Sequence, residues 1–391
     1  MLYQGPRYIL PIIILSQFAG TSLWFVGNAI LPDVQQQIHL AKETTGQITS
    51  SVQFGFIAGT LLFALLAIAD RFSPSKVFFV SSIIAALFNL SVLWINENFY
   101  LLLLCRFFTG FFLAGIYPIG MKIASDWFEK GLGNALGYLV GALVLGTALP
   151  HLLKGFSYDV SWEMIVAFTS LFAFAGGLLI FLFVKDGPYR KQSSSFKIKN
   201  ISRIFKTKDF SAAAFGYFGH MWELYTFWAF VPLILQMYNQ INNEKIPVSL
   251  WSFFIIGIGF LSCIAGGKLS KKWGSKKVAF YSLLVSGICC LISPFIFFFN
   301  LSFFLFLLLI WGSAVIADSP QFSTLVAQTV PIENKGTALT IVTSIGFAIT
   351  IISIQLLQYF KSYLNEYVFW LLVPGPLIGV LFFRKMKLKN Q

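Results

Sequence analysis

Charge is what this chain has least of. Only 11% of its 391 residues are Asp, Glu, Lys or Arg, against about 25% in a soluble domain, so a water-soluble globule is excluded. Acidic groups are scarcer than basic ones, 15 against 28, and histidine occurs three times. The four cysteines, Cys105, Cys263, Cys289 and Cys290, fall inside apolar runs. They have neither metal-ligand nor disulfide spacing and read as packing residues. There is no G-x-x-x-x-G-K-[ST] loop, which excludes ATP as a direct energy source. The loops carry no nucleophile–base or metal constellation, so a membrane enzyme is not expected, nor a cofactor. A cleavable signal peptide is not expected either. The first apolar run, Tyr8 to Pro32, is too long for one and lacks a small-residue cleavage site.

Apolar residues take the place of charge: 57% of the chain is hydrophobic, and Phe alone occurs 45 times. The apolar runs exceed about 18–20 residues and recur, which means membrane helices rather than the ~10-residue alternating strands of a barrel. Twelve spans are predicted, at 8–31, 47–69, 76–95, 99–124, 133–154, 161–184, 210–238, 249–270, 277–299, 301–327, 336–360 and 366–384. The fold class is therefore an all-α integral membrane protein. The long connection, 185–209, holds Lys185, Arg190, Lys191, Lys197, Lys199, Arg203, Lys206 and Lys208 against Asp186 and Asp209. It divides the chain into six-span halves, 1–184 and 210–391.

The net charge of +13 does not point to nucleic acid, because the basic residues cluster in loops between apolar runs. With the N-terminus inside, 23 of the 28 basic residues fall on the inner side and Lys42, Lys154, Lys245 and Lys361 on the outer; Arg106 alone lies within a span. The positive-inside bias then makes both termini cytoplasmic. Membrane lipids are the expected surroundings, and a monomer is expected, since each chain carries its own cavity.

The halves resemble each other. Asp70-Arg71, after the second span, aligns with Lys271-Lys272 after the eighth at an offset of 201; Gly133-Asn-Ala-Leu136 aligns with Gly336-Thr-Ala-Leu339 at 203, and Pro118 with Pro320 at 202. Near-equal offsets in one order indicate duplication of a six-helix unit, with two pseudo-symmetric halves and a substrate site near the midplane.

These features resemble a major facilitator superfamily transporter over the whole chain. The family's loop signature, G-x-L-A-D-R-x-G-R-[RK], is matched by Asp70 and Arg71, with Leu66 and Ser73 at the glycine positions and Pro74-Ser75 for the basic pair. The second copy keeps Gly267, Leu269, Gly274 and Lys276. The resemblance implies a conformational latch at Asp70 and Arg71. Arg106-Phe-Phe-Thr109-Gly110-Phe-Phe-Leu-Ala114-Gly115 is similar to the family's R-x-x-x-G-x-x-x-G pattern, linked to proton coupling in several members. His220-Met-Trp-Glu223 and Ala317-Asp318-Ser-Pro320-Gln321 resemble a bacterial subgroup loosely labelled nitrate- or cyanate-permease-like, which implies the bacterial cytoplasmic (inner) membrane. The glycine-rich nitrate signatures are not evident. The fifth span has Gly137, Gly141, Gly146 and Pro150 but not the Gly-Pro pair of drug antiporters.

Ionisable residues within spans are costly and are functional candidates. Arg106 is a permanent cation, with Thr109, Gly110, Leu113 and Tyr117 on its helical face. It suits an anionic substrate or a carboxylate on another helix. His220 and Glu223, three residues apart, share a face of span 7. A carboxyl in a low-dielectric cavity can load and release a proton during a cycle, and an imidazole can share it. Asp318 precedes Pro320, where a kink is expected, and Gln321 lies on its face. Gln17, Thr21, Trp24 and Asn28 form a polar stripe on span 1, with Gln53 on span 2. His151 reads as interfacial; Lys122, Asp126 and Glu129 read as solvated. In the family, spans 1, 4, 7 and 10 line the cavity. The expected substrate-binding residues are therefore Trp24, Asn28, Arg106, Tyr117, Trp222 and Gln321. The expected proton-coupling residues are His220, Glu223 and Asp318.

The expected function is a secondary active transporter, proton-coupled, moving a small polar or charged solute by alternating access. A multidrug or metabolite efflux pump is the alternative, with a transition-metal carrier behind it.

Overall fold

The computed structural model describes residues 6–37, 44–95, 98–128, 132–156, 160–190, 205–331, 334–384 and 386. Several basic positions counted above (Lys42, Lys130, Lys191, Lys197, Lys199, Arg203, Lys385, Lys387 and Lys389), with Glu129 and the linker stretch 191–204, lie outside the described residues. Every regular element among the described residues is a helix. The chain forms two compact units, one of Met1–Thr44 with Ser51–Phe196, the other of Thr45–Ser50 with Lys197–Gln391.

The first unit holds α1 (Ile9–Thr21), α2 (Val26–Gln37), most of α3 (Thr45–Leu65), the one-turn α4 (Ile68–Arg71), α5 (Pro74–Leu90), α6 (Phe99–Leu113), α7 (Tyr117–Trp127), α8 (Leu132–Phe156) and α9 (Trp162–Phe183). Asn98 and Ser161 start α6 and α9 by accepting hydrogen bonds from the backbone N–H of Leu101 and Met164, the usual side-chain remedy for an uncapped helix start. Within this unit α1 packs on α8 and α9, and α5 on α6 and α9.

The second unit holds α10 (Lys208–Asn242), α11 (Val248–Gly257), α12 (Gly259–Trp273), α13 (Ser275–Ile292), α14 (Leu301–Ala317), α15 (Ser319–Gln328), α16 (Lys335–Leu364) and α17 (Pro374–Phe383). A 3-10 stretch, Asn365–Leu372, joins α16 to α17. The long α10 is the unit's axis and packs on α15, α16 and α17.

Ten segments among the described residues are long and apolar enough to cross a membrane. One of them, Lys335–Phe383, runs 49 residues, about 70 Å as helix, and divides at its 3-10 stretch into two crossings. Counting these separately and adding the more polar, 35-residue α10 gives the twelve expected crossings.

Where the sequence predicts single spans, several are broken among the described residues, four of them between α-helices well inside the span. Span 1 breaks between α1 and α2, span 4 between α6 and α7, span 8 at Ile258 and span 10 at Asp318. Proline accounts for two of these. Pro118 and Pro320, which align in the duplication, each stand in the first turn of the restarted helix, α7 and α15. That position tolerates a residue with no N–H. Pro232 instead lies inside an unbroken α10.

The duplicated loops turn by different means. In the first copy the left-handed residue is Ala67, at φ 50°, just before α4; in the second it is Gly274, at φ 80°, just after α12. A left-handed non-glycine costs roughly 1–2 kcal/mol, a penalty glycine avoids. Ala67→Gly should therefore stabilise the purified protein by about 1 kcal/mol and Gly274→Ala destabilise it by a similar amount. Thermal unfolding in detergent checks both signs.

Candidate functional site

The ionisable residues of span 7 lead to two places in the second unit. His220 comes off the middle of α10, 1% exposed, and its Nδ1 lies 2.8 Å from Oδ1 of the fully buried Asp318. The contact is close, but bent away from the line a ring N–H bond requires. His220 Nε2 and Asp318 Oδ2 have no hydrogen-bond partner among the described residues. Tyr217 and Phe322 flank the imidazole, each ring 5.9 Å from it. Asp318 can reach this position because α14 ends there and α15 restarts: it sits at the joint, where Gln321 and Phe322 donate their N–H groups to its backbone carbonyl at 2.9 Å. The contact thus pairs His220 with Asp318 rather than with Glu223.

Glu223, one turn on, is also fully buried but well supplied. Trp311 Nε1 donates to Oε1 at 2.6 Å, and the Cys290 thiol to the same oxygen at 3.2 Å. Ser286 Oγ donates to Oε2 at 2.9 Å and also lies 3.1 Å from the carbonyl of Leu283. The indole N–H is a fixed donor, while the thiol and the hydroxyl are rotors. When Glu223 is ionised, the Ser286 hydroxyl can point at Oε2. When Oε2 carries a proton, the hydroxyl can turn to the Leu283 carbonyl and accept from the acid. Both protonation states therefore find hydrogen bonds here without backbone movement. Phe227 stacks on Trp311 at 4.4 Å and holds the indole in place.

The first unit holds a buried cation instead. Arg106 on α6 is 1% exposed. Its Nη1 donates to Asn89 Oδ1 at 2.7 Å, and its Nη2 to the backbone carbonyls of Leu23 at 2.7 Å and Trp24 at 3.2 Å. Those carbonyls are freed by the break between α1 and α2, so Arg106 caps the break. Asn89 passes the network on, donating to Ser170 Oγ at 2.9 Å and to Thr169 Oγ1 and the Val166 carbonyl at 3.3 Å. No carboxylate pairs with Arg106 among the described residues, and its Nε has no acceptor there.

The other expected site residues lie in both units. Trp24 lies in the span-1 break, its ring 4.8 Å from Phe56, and Asn28 lies beyond the break on α2. Tyr117 follows the break in span 4, so the face it was expected to share with Arg106 does not run through. Trp222 is committed elsewhere, donating to the Leu371 carbonyl at 2.8 Å. It shares a face of α10 with Gly219, where α17 comes so close that a Cβ on Gly375 would stand 2.6 Å from the Gly219 carbonyl. Gln321 is 3% exposed, one turn after Asp318. His151, expected at the interface, is 1% exposed. No group of three or more His, Cys, Asp or Glu that could hold a metal ion occurs among the described residues.

Residues 12–385 match the sequence profile of the Major Facilitator Superfamily. The chain belongs to that family. The relatives it resembles include an ascochitine biosynthesis cluster transporter of this superfamily from Didymella fabae, 27% identical over 157 residues, 39% of this chain and 30% of that protein; the match thus spans less than a third of the relative's length. An uncharacterised Campylobacter jejuni protein is 24% identical over 74% of this chain and 90% of its own. An uncharacterised major-facilitator-type transporter of Bacillus subtilis is 22% identical over 69% of each chain. Among solved structures, a bacterial homologue of the human lysosomal transporter Spinster superposes with a TM-score of 0.69 at 15% identity, covering 98% of this chain and 95% of that one. The family is one of transporters, so the protein is a multi-pass membrane transporter and not an enzyme.

The superfamily's loop signature has a built environment here. Lys122 Nζ lies 3.4 Å from Asp70 and 3.5 Å from Asp126. Arg190 pairs with Asp186 and donates to the backbone carbonyls of Asp70 at 3.2 Å and Phe72 at 2.8 Å; Ser73 Oγ donates to Asp186 at 2.6 Å. Asp126, expected to be solvated, is 5% exposed. Arg71 is exposed and has no ion pair among the described residues; Arg190 and Lys122 hold the loop instead. The signals for them were present but weak: an i, i+4 Lys–Asp pair at a helix end, and one of two arginines among eight linker cations. Asn89, Ser286, Cys290 and Trp311 were missed because each is common in apolar runs.

The Arg106 network predicts that Asn89→Ala lowers stability by roughly 2–3 kcal/mol, because it strips a buried cation of an acceptor. Asn89→Asp keeps an acceptor for Arg106 but loses the amide N–H donors to Ser170, Thr169 and Val166, so it should fall between wild type and Asn89→Ala. Thermal unfolding of the two variants side by side measures the difference.

Proposed function

We propose that this transporter is a proton-coupled secondary carrier of a small polar or charged solute, working by alternating access in the cytoplasmic membrane of a bacterium, with both termini on the cytoplasmic side. The observation that carries the coupling is the buried His220–Asp318 contact. It unites an imidazole and a carboxyl, at the joint of a broken helix, with a nitrogen and an oxygen to spare. A proton delivered to Asp318 neutralises the carboxylate and weakens its hold on His220; when the proton leaves, the contact returns. Glu223 is the second proton site, with the Ser286 hydroxyl turning to suit either form. Arg106 cannot take this role, because a guanidinium stays charged; it supplies a fixed positive charge for the solute. Asp70 is the latch residue, held by Lys122, and the backbone beside it is gripped by Arg190. The positive-inside bias of the basic loops supports the orientation.

The test uses proteoliposomes and a solute chosen from a thermal-shift screen, since a true ligand stabilises the state it binds. Under an imposed pH gradient, wild-type uptake should exceed uptake without the gradient. Asp318→Asn should lose that excess, and Glu223→Gln should reduce it severalfold. Full gradient-driven uptake in both variants would overturn the coupling assignment.

A further inference from the structure

The second unit gathers charge at one turn. Between Lys245 and Asp318 the sequence has five charged residues, all lysines and all within 268–277: Lys268, Lys271, Lys272, Lys276 and Lys277. That stretch runs from the last turns of α12, through the left-handed Gly274, into the first turn of α13. Lys271 and Lys277 therefore stand on either side of one tight turn. Lys276 Nζ donates to the backbone carbonyl of Met386 at 2.6 Å, which brings the end of α17, with Arg384, to the same place.

Most of these cations are unanswered. Lys268, Lys271, Lys272, Lys277 and Arg384 are exposed, and none has an ion pair among the described residues. The duplicated loop of the first unit differs: there Lys122 meets Asp70 and Asp126, and Arg190 meets Asp186. The second copy has Lys271 where the first has Asp70. Helix electrostatics explain only part of the cluster. A cation suits the last turn of α12, where Lys271 and Lys272 stand, but not the first turn of α13, where Lys276 and Lys277 stand. The surface beside the lysines is apolar. On α12, exposed Leu269 and Trp273 lie one turn apart. On α13, which packs on α12, exposed Tyr281, Leu284 and Ile288 follow Lys277 along one helical face. Each helix thus presents exposed apolar side chains beside lysine, with Trp or Tyr next to the charge. That is the order of side chains at a membrane–water boundary.

We infer that this turn is a docking surface for an anionic phospholipid: Lys271, Lys272 and Lys277 take the charged headgroup, and the acyl chains lie along the face that Tyr281 begins. A cluster of lysines at the membrane end of two helices attracts negative lipid charge. A soluble anion would answer the lysines but leave Trp273 and Tyr281 in water. A lipid without net charge would cover the aromatics but leave the lysines unanswered. A ligand with both parts meets both. The inference goes beyond the solute-carrier reading and does not depend on proton coupling.

The test titrates the full chain in neutral detergent with phosphatidylglycerol, with phosphatidylcholine as a headgroup of no net charge, and with inorganic phosphate as an anion without chains. Native mass spectrometry counts the lipid retained, and thermal unfolding reads the stabilisation that a bound ligand confers. Phosphatidylglycerol should be retained and should raise the wild-type midpoint by several degrees; the other two probes should do neither. Lys271→Gln, Lys272→Gln and Lys277→Gln should each weaken phosphatidylglycerol about fivefold, and the triple variant more than tenfold. The lipid-free midpoint should stay unchanged or rise, since each variant removes a like charge from the turn. Arg7→Gln with Lys76→Gln, which removes two exposed cations of the first unit, should retain the lipid as wild type does. If the triple variant fails to insert, the single variants carry the test. Four results overturn the docking surface. Equal retention of the two lipids would leave the lysines as a topological signal alone. Lysine variants that bind as wild type does would place the lipid elsewhere. An equal loss in the Arg7 and Lys76 variant would mean diffuse attraction to positive charge. Stabilisation by phosphate to the same degree would mean a site for a free anion.

Discussion

A polar group in the apolar interior of a membrane unit has no water to fall back on. It must be met by another polar group or be retained for work that repays its cost. That constraint orders this molecule. Glu223 is met by an indole, a thiol and a hydroxyl. Arg106 is met by an asparagine and two backbone carbonyls. His220 and Asp318 meet each other only in part and keep two atoms in reserve. Glu223, met by three donors, and His220, with an atom to spare, lie one helical turn apart on α10.

The helix breaks follow from the same rule. A break frees carbonyls and N–H groups that need partners inside lipid. In the first unit the freed carbonyls of Leu23 and Trp24 face the Arg106 guanidinium, so a backbone defect and a buried cation answer each other. In the second, the joint at Asp318 lets a carboxylate reach His220 from the end of a helix. The aligned prolines Pro118 and Pro320 mark the restart of spans 4 and 10. One duplicated device therefore serves two purposes, bringing the carboxylate to His220 in the second unit and restarting span 4 beyond the cation in the first.

Much of this was legible in the residues. The spans, the duplication, Arg106, His220, Glu223 and Asp318 all stand out because charge is rare in apolar runs and each occurrence draws notice. The partners were not legible. Asn89, Ser286, Cys290 and Trp311 are unremarkable in a membrane helix, and only the packing of α5 on α6, and of α13 and α14 around α10, gives them something to hold. The pairing of His220 also escaped the sequence, since helical spacing favoured Glu223 and the break at Asp318 decided otherwise. Arg71 was read from the family's signature and is exposed, while Arg190, a linker residue, donates to the backbone carbonyls of Asp70 and Phe72 on either side of it. Periodicity also misled on Tyr117, because a helical face carries through a span only when the span is unbroken.

The central claim is that proton exchange belongs to the carboxyls of the second unit. Infrared difference spectroscopy of the purified transporter across a pH titration reads it directly, through the carbonyl stretch of protonated buried carboxyls. Wild type should show such bands rising as pH falls. Asp318→Asn and Glu223→Gln should each remove one component, and the double variant should remove both. Unchanged bands in the double variant would contradict the account and place proton exchange elsewhere in the chain.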